Sequence, residues 1–349
     1  MERKRTKKIM VGNVPVGGDS PITVQSMINT TTKDIKSTVE QIKRLEEAGC
    51  DIIRGAITDF DDAKAIEEIK KSTNIPFIAD IQFDYKLAIA AVESGADCLR
   101  INPGNIGSEV KVREVIDCCK ERNVPIRIGV NSGSIKKEYL EKYNGVNENS
   151  MVYSALEHIR LLENLNYENI KISLKASSVP LTIKSYEKMS QMADYPLHLG
   201  VTEAGPIWRG TIKSSVGMGT LLAMGIGDTI RVSLTGDPVE EVRVGREILR
   251  SLNLLEEGVE IISCPTCGRT KIGLIDLVEE AEKRLAGIKK PLKIAIMGCP
   301  VNGPGEAKEA DIGIAGGLGE GLIFKKGVIV KKVKEENLID ELIKEIESL

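Results

Sequence analysis

Three of the seven cysteines stand where sulfur could bind a metal or carry electrons. Cys264 and Cys267 bracket a Pro-Thr pair in a Cys-x-x-Cys turn closed by glycine. Cys299 follows the apolar run Leu292–Met297 and one glycine, and a turn rich in Gly and Pro, Val301 to Glu306, comes next. A structural zinc ion would want a fourth Cys or His, yet the two histidines, His158 and His198, lie far upstream. A redox dithiol uses the pair and leaves Cys299 without a task. An iron–sulfur cluster accepts three thiolates with a fourth, non-thiolate position; the carboxylate of Glu306 would make a labile ligand there. Spacing alone leaves zinc, cluster and no metal all standing. It differs from the CxxxCxxC of radical enzymes that use S-adenosylmethionine. Cys50, Cys98, Cys118 and Cys119 lie in apolar or amphipathic runs and are expected as small buried hydrophobes. An odd cysteine count without a signal peptide argues against a secreted disulfide framework.

A second set of reactive side chains is cationic. Short β-branched runs end in polar residues: Arg54, then Asp80, then Arg100 with Asn102, Arg127 with Asn131, Lys175, His198 with Glu203, and Arg231 with Ser233. An Arg inside an apolar strand is costly unless it is paired or holds an anion. Arg54, Arg100, Arg127, Arg231 and Lys175 outnumber the nearby acids, so the surplus asks for a multiply charged anion. The planar fork of arginine suits phosphate oxygens. A diphosphate or another phosphorylated substrate is the expected ligand. His198 reads as a core or supporting histidine. Trp208, the only tryptophan, has no role that its neighbours decide.

The elements that must carry these residues alternate. The runs are Thr23–Met27, Ile52–Ile57, Pro76–Ile81, Cys98–Asn102, Ile126–Val130, Ile170–Ala176, Leu197–Thr202 and Thr229–Thr235. Amphipathic stretches lie between them; in the first, Ile35, Val39, Ile42 and Leu45 recur at helical spacing. Near-continuous apolar strands joined by helices imply a parallel sheet covered on its faces. Eight such units predict an α/β fold, a (β/α)8 TIM barrel over residues 1–255 with the polar strand ends gathered on one face. A doubly wound sheet is the alternative, but GxGxxG is absent after the first strand. Residues 256–349 are expected as a small α/β domain with a helix at Ile272–Leu285, strands at Leu292–Met297, Asp311–Ala315 and Gly327–Val333, and a terminal helix at Glu335–Ser348.

Composition bounds the partners. The chain of 349 residues carries 48 Lys and Arg against 51 Asp and Glu, a net charge of −3, with 3% aromatic residues. Neither nucleic acid nor an anionic membrane is favoured by such a balance. No run approaches the roughly 18 apolar residues of a membrane span, so a cytoplasmic protein is expected. A zinc-stabilised barrel enzyme acting on a phosphosugar, and a non-enzymatic iron–sulfur sensor, are the competing classes.

The segment Ile296-Met297-Gly298-Cys299-Pro300-Val301-Asn302-Gly303-Pro304-Gly305-Glu306-Ala307 resembles the C-terminal signature of the 4-hydroxy-3-methylbut-2-enyl diphosphate synthase family, as does Cys264-Pro-Thr-Cys267-Gly-Arg. The stretches Leu99–Gly107, Ile126–Gly133, Leu197–Gly205 and Asp228–Leu234 are similar to the family's barrel motifs. The resemblance runs over essentially the whole chain and matches the two-domain form, without the extra central domain found in plants and some bacteria. At Gln82 the family commonly has His; a Gln can hydrogen bond but cannot shuttle a proton near neutral pH.

The resemblance implies a 4Fe–4S cluster, one per subunit, held by Cys264, Cys267, Cys299 and Glu306. It implies reductive opening and dehydroxylation of 2-C-methyl-D-erythritol 2,4-cyclodiphosphate, with flavodoxin or ferredoxin as electron donor. Arg54, Arg100, Asn102, Arg127, Asn131, Lys175, Arg231 and Ser233 are then the expected diphosphate-binding set. Glu203 is the candidate acid or base for hydroxyl loss, or else an ion-pair partner of the arginines. The last barrel helix returns the chain to the face opposite the strand ends, so a domain attached there can hardly cap its own barrel. The family's answer is a head-to-tail homodimer with a composite site.

Overall fold

The computed structural model describes residues 2–299 and 309–348. A short antiparallel hairpin, β1 (Ile9–Val11) and β2 (Val14–Val16), precedes eight strands that alternate with helices. These are β3 (Thr23–Met27), β4 (Ile52–Ala56), β5 (Phe77–Asp80), β6 (Cys98–Ile101), β7 (Ile126–Asn131), β8 (Ile170–Lys175), β9 (His198–Leu199) and β10 (Thr229–Ile230). They form one parallel sheet in the order β8-β7-β6-β5-β4-β3-β10-β9. Its two edges meet where Ile172 bridges Leu197 in parallel, which closes the sheet into a barrel.

Local chemistry sets where the surrounding helices begin. Asp34, Asp59, Asp84, Asn147, Ser178 and Asp237 each accept a backbone N–H in the first turn of the helix that follows, satisfying donors that no helical carbonyl reaches. Residues alternate across each strand. Ile53, Leu99, Ile101, Ile126, Ile128, Val130, Ile172 and Leu174 face the helices in the main core. By the same alternation Arg54, Arg100, Arg127, Lys171 and Lys175 point into the barrel. At its amino-terminal end the inward residues Ile52, Ile78 and Cys98 pack against Ile9, Val11 and Val16 of the hairpin.

Met1–Leu255 and Glu256–Leu349 are separate compact units. In the second, β11 (Val259–Ser263), β12 (Leu292–Met297) and β13 (Ile312–Gly316) run parallel. Then β14 (Glu320–Lys325) adds antiparallel to β13, and β15 (Val328–Lys334) antiparallel to β14. Helices Leu274–Leu285 and Leu338–Glu347 bury Leu274, Ala281, Leu285, Leu338 and Leu342 against Ile294, Ile296, Ile312 and Ile314 of the sheet.

The structure departs from the sequence expectations at five places. The seventh and eighth barrel strands are ladders of two residues each, because the chain leaves the sheet at Gly200 and at Arg231. The hairpin was not foreseen; its strands have three residues each, too few to show an alternation. No strand is expected at β11, whose residues are half-buried or, at Ser263, exposed. β14 follows a glycine-rich turn that reads as loop. The terminal helix begins with a 3-10 turn, Glu335–Asn337.

Candidate functional site

Two carboxylates organise the cations inside the barrel. Asp80, the last residue of β5, receives Arg100 Nη1 at 3.1 Å and Arg54 Nε at 3.5 Å. Gln82 braces this pair, donating to Asp80 Oδ1 at 3.2 Å and accepting from Arg100 at 3.4 Å. Glu241, from helix Pro238–Ser251, meets Arg231 Nη2 at 3.3 Å and also accepts the Leu234 N–H. Arg127 Nη1 reaches only the neutral Gln25 Oε1, at 3.4 Å. Lys175 Nζ lies 3.2 Å from His198 Nε2, and His198 Nδ1 lies 3.4 Å from Thr229 Oγ1. Lys175 donating to Nε2, with Nδ1–H donating to Thr229, suits a neutral imidazole.

The charges respond to this crowding. Burial pushes Arg54 and Lys175 well below their ordinary values; Asp80 partly restores Arg54, while neighbouring cations depress both further. Arg127 is brought down to about 10, by burial first and Arg100 next. Burial would raise Asp80, but Arg54, Arg100 and Arg127 outweigh it and hold the carboxyl below the usual range. His198 is fully buried and stays neutral far below its normal range, through burial and then Lys175. Among the described residues Arg127 and Lys175 have no carboxylate partner. The barrel therefore holds an excess of buried positive charge, the condition for binding an anion.

Two glycines make room for it. A Cβ at Gly129 would lie 2.8 Å from Arg100 Nε, and one at Gly200 would lie 2.6 Å from Lys175 Nζ. Both are inward positions, on β7 and just after β9, where only a missing side chain admits a cation.

Other expected residues fall differently. Arg127 is the second residue of β7, not its end, so it lies deeper than a strand-end position. Asn102 is buried and accepts the Gly104 N–H as N-cap of the short helix Pro103–Ile106. The Asn131 N–H donates to Ser134 Oγ. Ser233 is half-buried past the end of β10. Glu203 is exposed, with a left-handed backbone at φ +52°, and no described side chain pairs with it. The expectation that it sits as an ion-pair partner of the arginines is corrected: Asp80 and Glu241 fill that place. Trp208 is 76% exposed in the first turn of helix Ile207–Ala223. Sequence reasoning missed Glu241, which sits in a helical pattern, and Lys171, whose even spacing from Lys175 was the available signal.

In the second unit Cys264, Cys267 and Cys299 are free thiols, half-buried, exposed and buried respectively. The Gly298 N–H donates to Cys264 Sγ at 3.2 Å, which brings that sulfur beside the residue preceding Cys299. Cys267 is held below its ordinary value by the Arg269 backbone N–H, favouring the thiolate that binds metals. Among the described residues no three His, Cys, Asp or Glu side chains form a group ready to hold a metal ion. Glu306 lies outside the described residues. The donor chemistry, three free thiols with an N–H to sulfur bond and one favoured thiolate, fits an iron–sulfur group.

A closed parallel barrel with an anion-seeking interior, followed by a thiol-bearing α/β unit, defines a two-unit TIM-barrel protein. Its barrel resembles Yersinia pestis dihydropteroate synthase, at TM-score 0.52 and 12% identity, over 70% of this chain and 97% of that one. It also resembles type I 3-dehydroquinate dehydratase of Clostridium difficile, at TM-score 0.52 and 13% identity, over 71% of this chain and 98% of that one. These likenesses speak to the fold alone. Residues 6–246 match the GcpE TIM-barrel domain and residues 260–348 the GcpE protein C-terminal domain. The chain belongs to the GcpE family. It is 65% identical to the 4-hydroxy-3-methylbut-2-en-1-yl diphosphate synthase (flavodoxin) of Caldanaerobacter subterraneus subsp. tengcongensis, over 99% of this chain and 98% of that one. To the same-named protein of Clostridium perfringens it is 62% identical, over the full length of both.

Proposed function

We propose that this chain reductively opens and dehydroxylates 2-C-methyl-D-erythritol 2,4-cyclodiphosphate, yielding (E)-4-hydroxy-3-methylbut-2-enyl diphosphate in the cytoplasm. Flavodoxin, after which its relatives are named, supplies the electrons; ferredoxin is the alternative donor. The observation that carries the reading is the surplus of buried cations inside the barrel, since Arg127 and Lys175 lack carboxylates while Asp80 already serves two arginines.

Arg54, Arg100, Arg127, Lys175 and Arg231 neutralise the diphosphate and the charge that grows on its bridging oxygen as the ring opens. Asp80 and Gln82 hold the Arg100 fork in one orientation, so no reorganisation is required when that charge develops. Asn102, Asn131 and Ser233 complete the set around the anion. Glu203, exposed and with no described side chain paired to it, serves as acid or base in the loss of the hydroxyl as water. Cys264, Cys267, Cys299 and Glu306 would hold a 4Fe–4S cluster, which when bound supplies electrons singly together with a Lewis-acidic iron. Residues 1–255 serve as the substrate domain and 256–349 as the cluster domain.

The working unit is a homodimer. Arg246 of the last barrel helix donates to Gly49 O, just before β4, so the chain leaves the barrel at the end away from its strand tips.

The test is anaerobic turnover of the cyclodiphosphate with reduced flavodoxin. Purified protein should contain about four iron and four sulfide per chain. Stoichiometric zinc without inorganic sulfide would sink the cluster assignment. Failure of the iron-loaded protein to consume the cyclodiphosphate would sink the reaction.

A further inference from the structure

Below the cations already described lies a group of donors that have no partner among the described residues. Lys171 sits on β8, two pleats before Lys175, and is fully buried. Its Nζ has no hydrogen-bond partner among the described residues. Directly across the ladder its Cα partner is Arg127, another buried cation, whose Nε is also unpartnered. Gln25 joins them: its Oε1 accepts from Arg127 while its Nε2 finds no acceptor. Thr23, two residues earlier on β3, is buried with its hydroxyl unpartnered. All four side chains end in donors, and two of them are cations.

Neither a carboxylate nor bulk water relieves this cluster. Asp80 is engaged by Arg54 and Arg100, and Glu241 by Arg231. The apolar layer of Ile52, Ile78, Cys98, Ile9, Val11 and Val16 seals the amino-terminal end of the barrel. Two like charges facing each other across a ladder in a buried interior repel unless something negative lies between them. Water supplies acceptors but no charge.

We propose that Lys171, Arg127, Gln25 and Thr23 form a binding site for a small inorganic anion of halide type, at the base of the barrel beneath the substrate site, with which it shares Arg127. The bound anion fixes Arg127 from beneath, so that its fork faces the substrate already oriented. Burial brings Lys171 down to about 8. The charged groups nearest it are Arg127 and Arg54, with the Cys98 thiol and the neutral His198 alongside. The site should hence hold its anion less well as pH rises above about 8, where Lys171 loses its proton.

Crystals of the iron-loaded protein soaked in sodium bromide test the site directly. An anomalous bromide peak is expected within about 3.5 Å of Lys171 Nζ and Arg127, and it should vanish in Lys171→Met. In solution, bromide should raise the melting temperature relative to gluconate at equal ionic strength. That difference should disappear in Lys171→Met and shrink in Thr23→Val, both of which keep side-chain volume. A bromide peak found only among Arg54, Arg100 and Lys175 would overturn the proposal. So would ordered water alone at Lys171, or stabilisation by inorganic phosphate but not by bromide.

Discussion

Asp80 carries more of the charge balance than any other single residue in the barrel, because Arg54 and Arg100 both depend on it. Asp80→Asn should lower stability by about 3–5 kcal/mol, the usual consequence of leaving buried cations without their counter-charge; urea unfolding measures it. Conversely, Arg100→Ala and Arg127→Ala should each lower kcat/KM by roughly 10- to 100-fold, the loss of one charge-assisted contact to phosphate. Lysine at either position should recover only part, since the planar fork is gone. Wild-type kinetics in both alanine variants would place the diphosphate elsewhere. Gln82 matters at this scale too. Its amide holds Asp80 and Arg100 at once, a task that needs a donor and an acceptor but no proton transfer.

The strands set which charges can share the interior, and the glycines among them decide how closely. Gly200→Ala would put a methyl 2.6 Å from Lys175 Nζ and 2.8 Å from the Arg231 carbonyl. Lys175 must then shift, and KM for the cyclodiphosphate should rise at least tenfold, about 1.4 kcal/mol, with the barrel still folded by circular dichroism. Helix Glu148–Asn164 brings a different liability. Its His158 is brought down to about 4, by burial and then Lys136, and His198 on β9 is lowered well below its ordinary value, by burial and then Lys175. In both cases the unfolded chain takes up the proton first. Stability is therefore complete above about pH 6.5 and is lost as pH falls toward 4, by up to about 1.4 kcal/mol per pH unit for each histidine. Urea midpoints across that range should show the decline, and His158→Gln should make it shallower. A flat profile would mean that both imidazoles are protonated in the folded chain.

At the scale of the whole molecule, the inward cations of the barrel lie in the first unit, and Cys264, Cys267 and Cys299 in the second. A homodimer with composite sites predicts complementation. One subunit would carry Glu203→Ala and the other Cys264→Ser, each inactive alone. Once native mass measurement confirms heterodimers, activity should return toward one intact site per mixed dimer. Confirmed heterodimers that stay inactive would mean the site is built within one chain. Cys299→Ser should abolish the visible absorption of the iron–sulfur protein while leaving the barrel's thermal transition in place, because the described barrel core is built from residues of the first unit.

Periodicity revealed the barrel because it is a local property: a β-branched run flanked by amphipathic helices reads the same in any context. Thr23–Met27 and Leu292–Met297 came out to the residue. Strands seven and eight did not, since their ends depend on where Gly200 and Arg231 leave the ladder, which neighbouring strands control. The cationic residues were legible by type, because charge inside an apolar run is conspicuous. Their partners were not. Glu241 lies in a helical pattern and reaches Arg231 only after the chain has turned back on itself, while Glu203, adjacent to a strand in sequence, ends exposed and unpaired. Sequence order carries which residues face inward, through a period of two. Which of them meet depends on the register between strands and the closure of the barrel at Ile172 and Leu197, and those are relations between distant segments that no local pattern encodes.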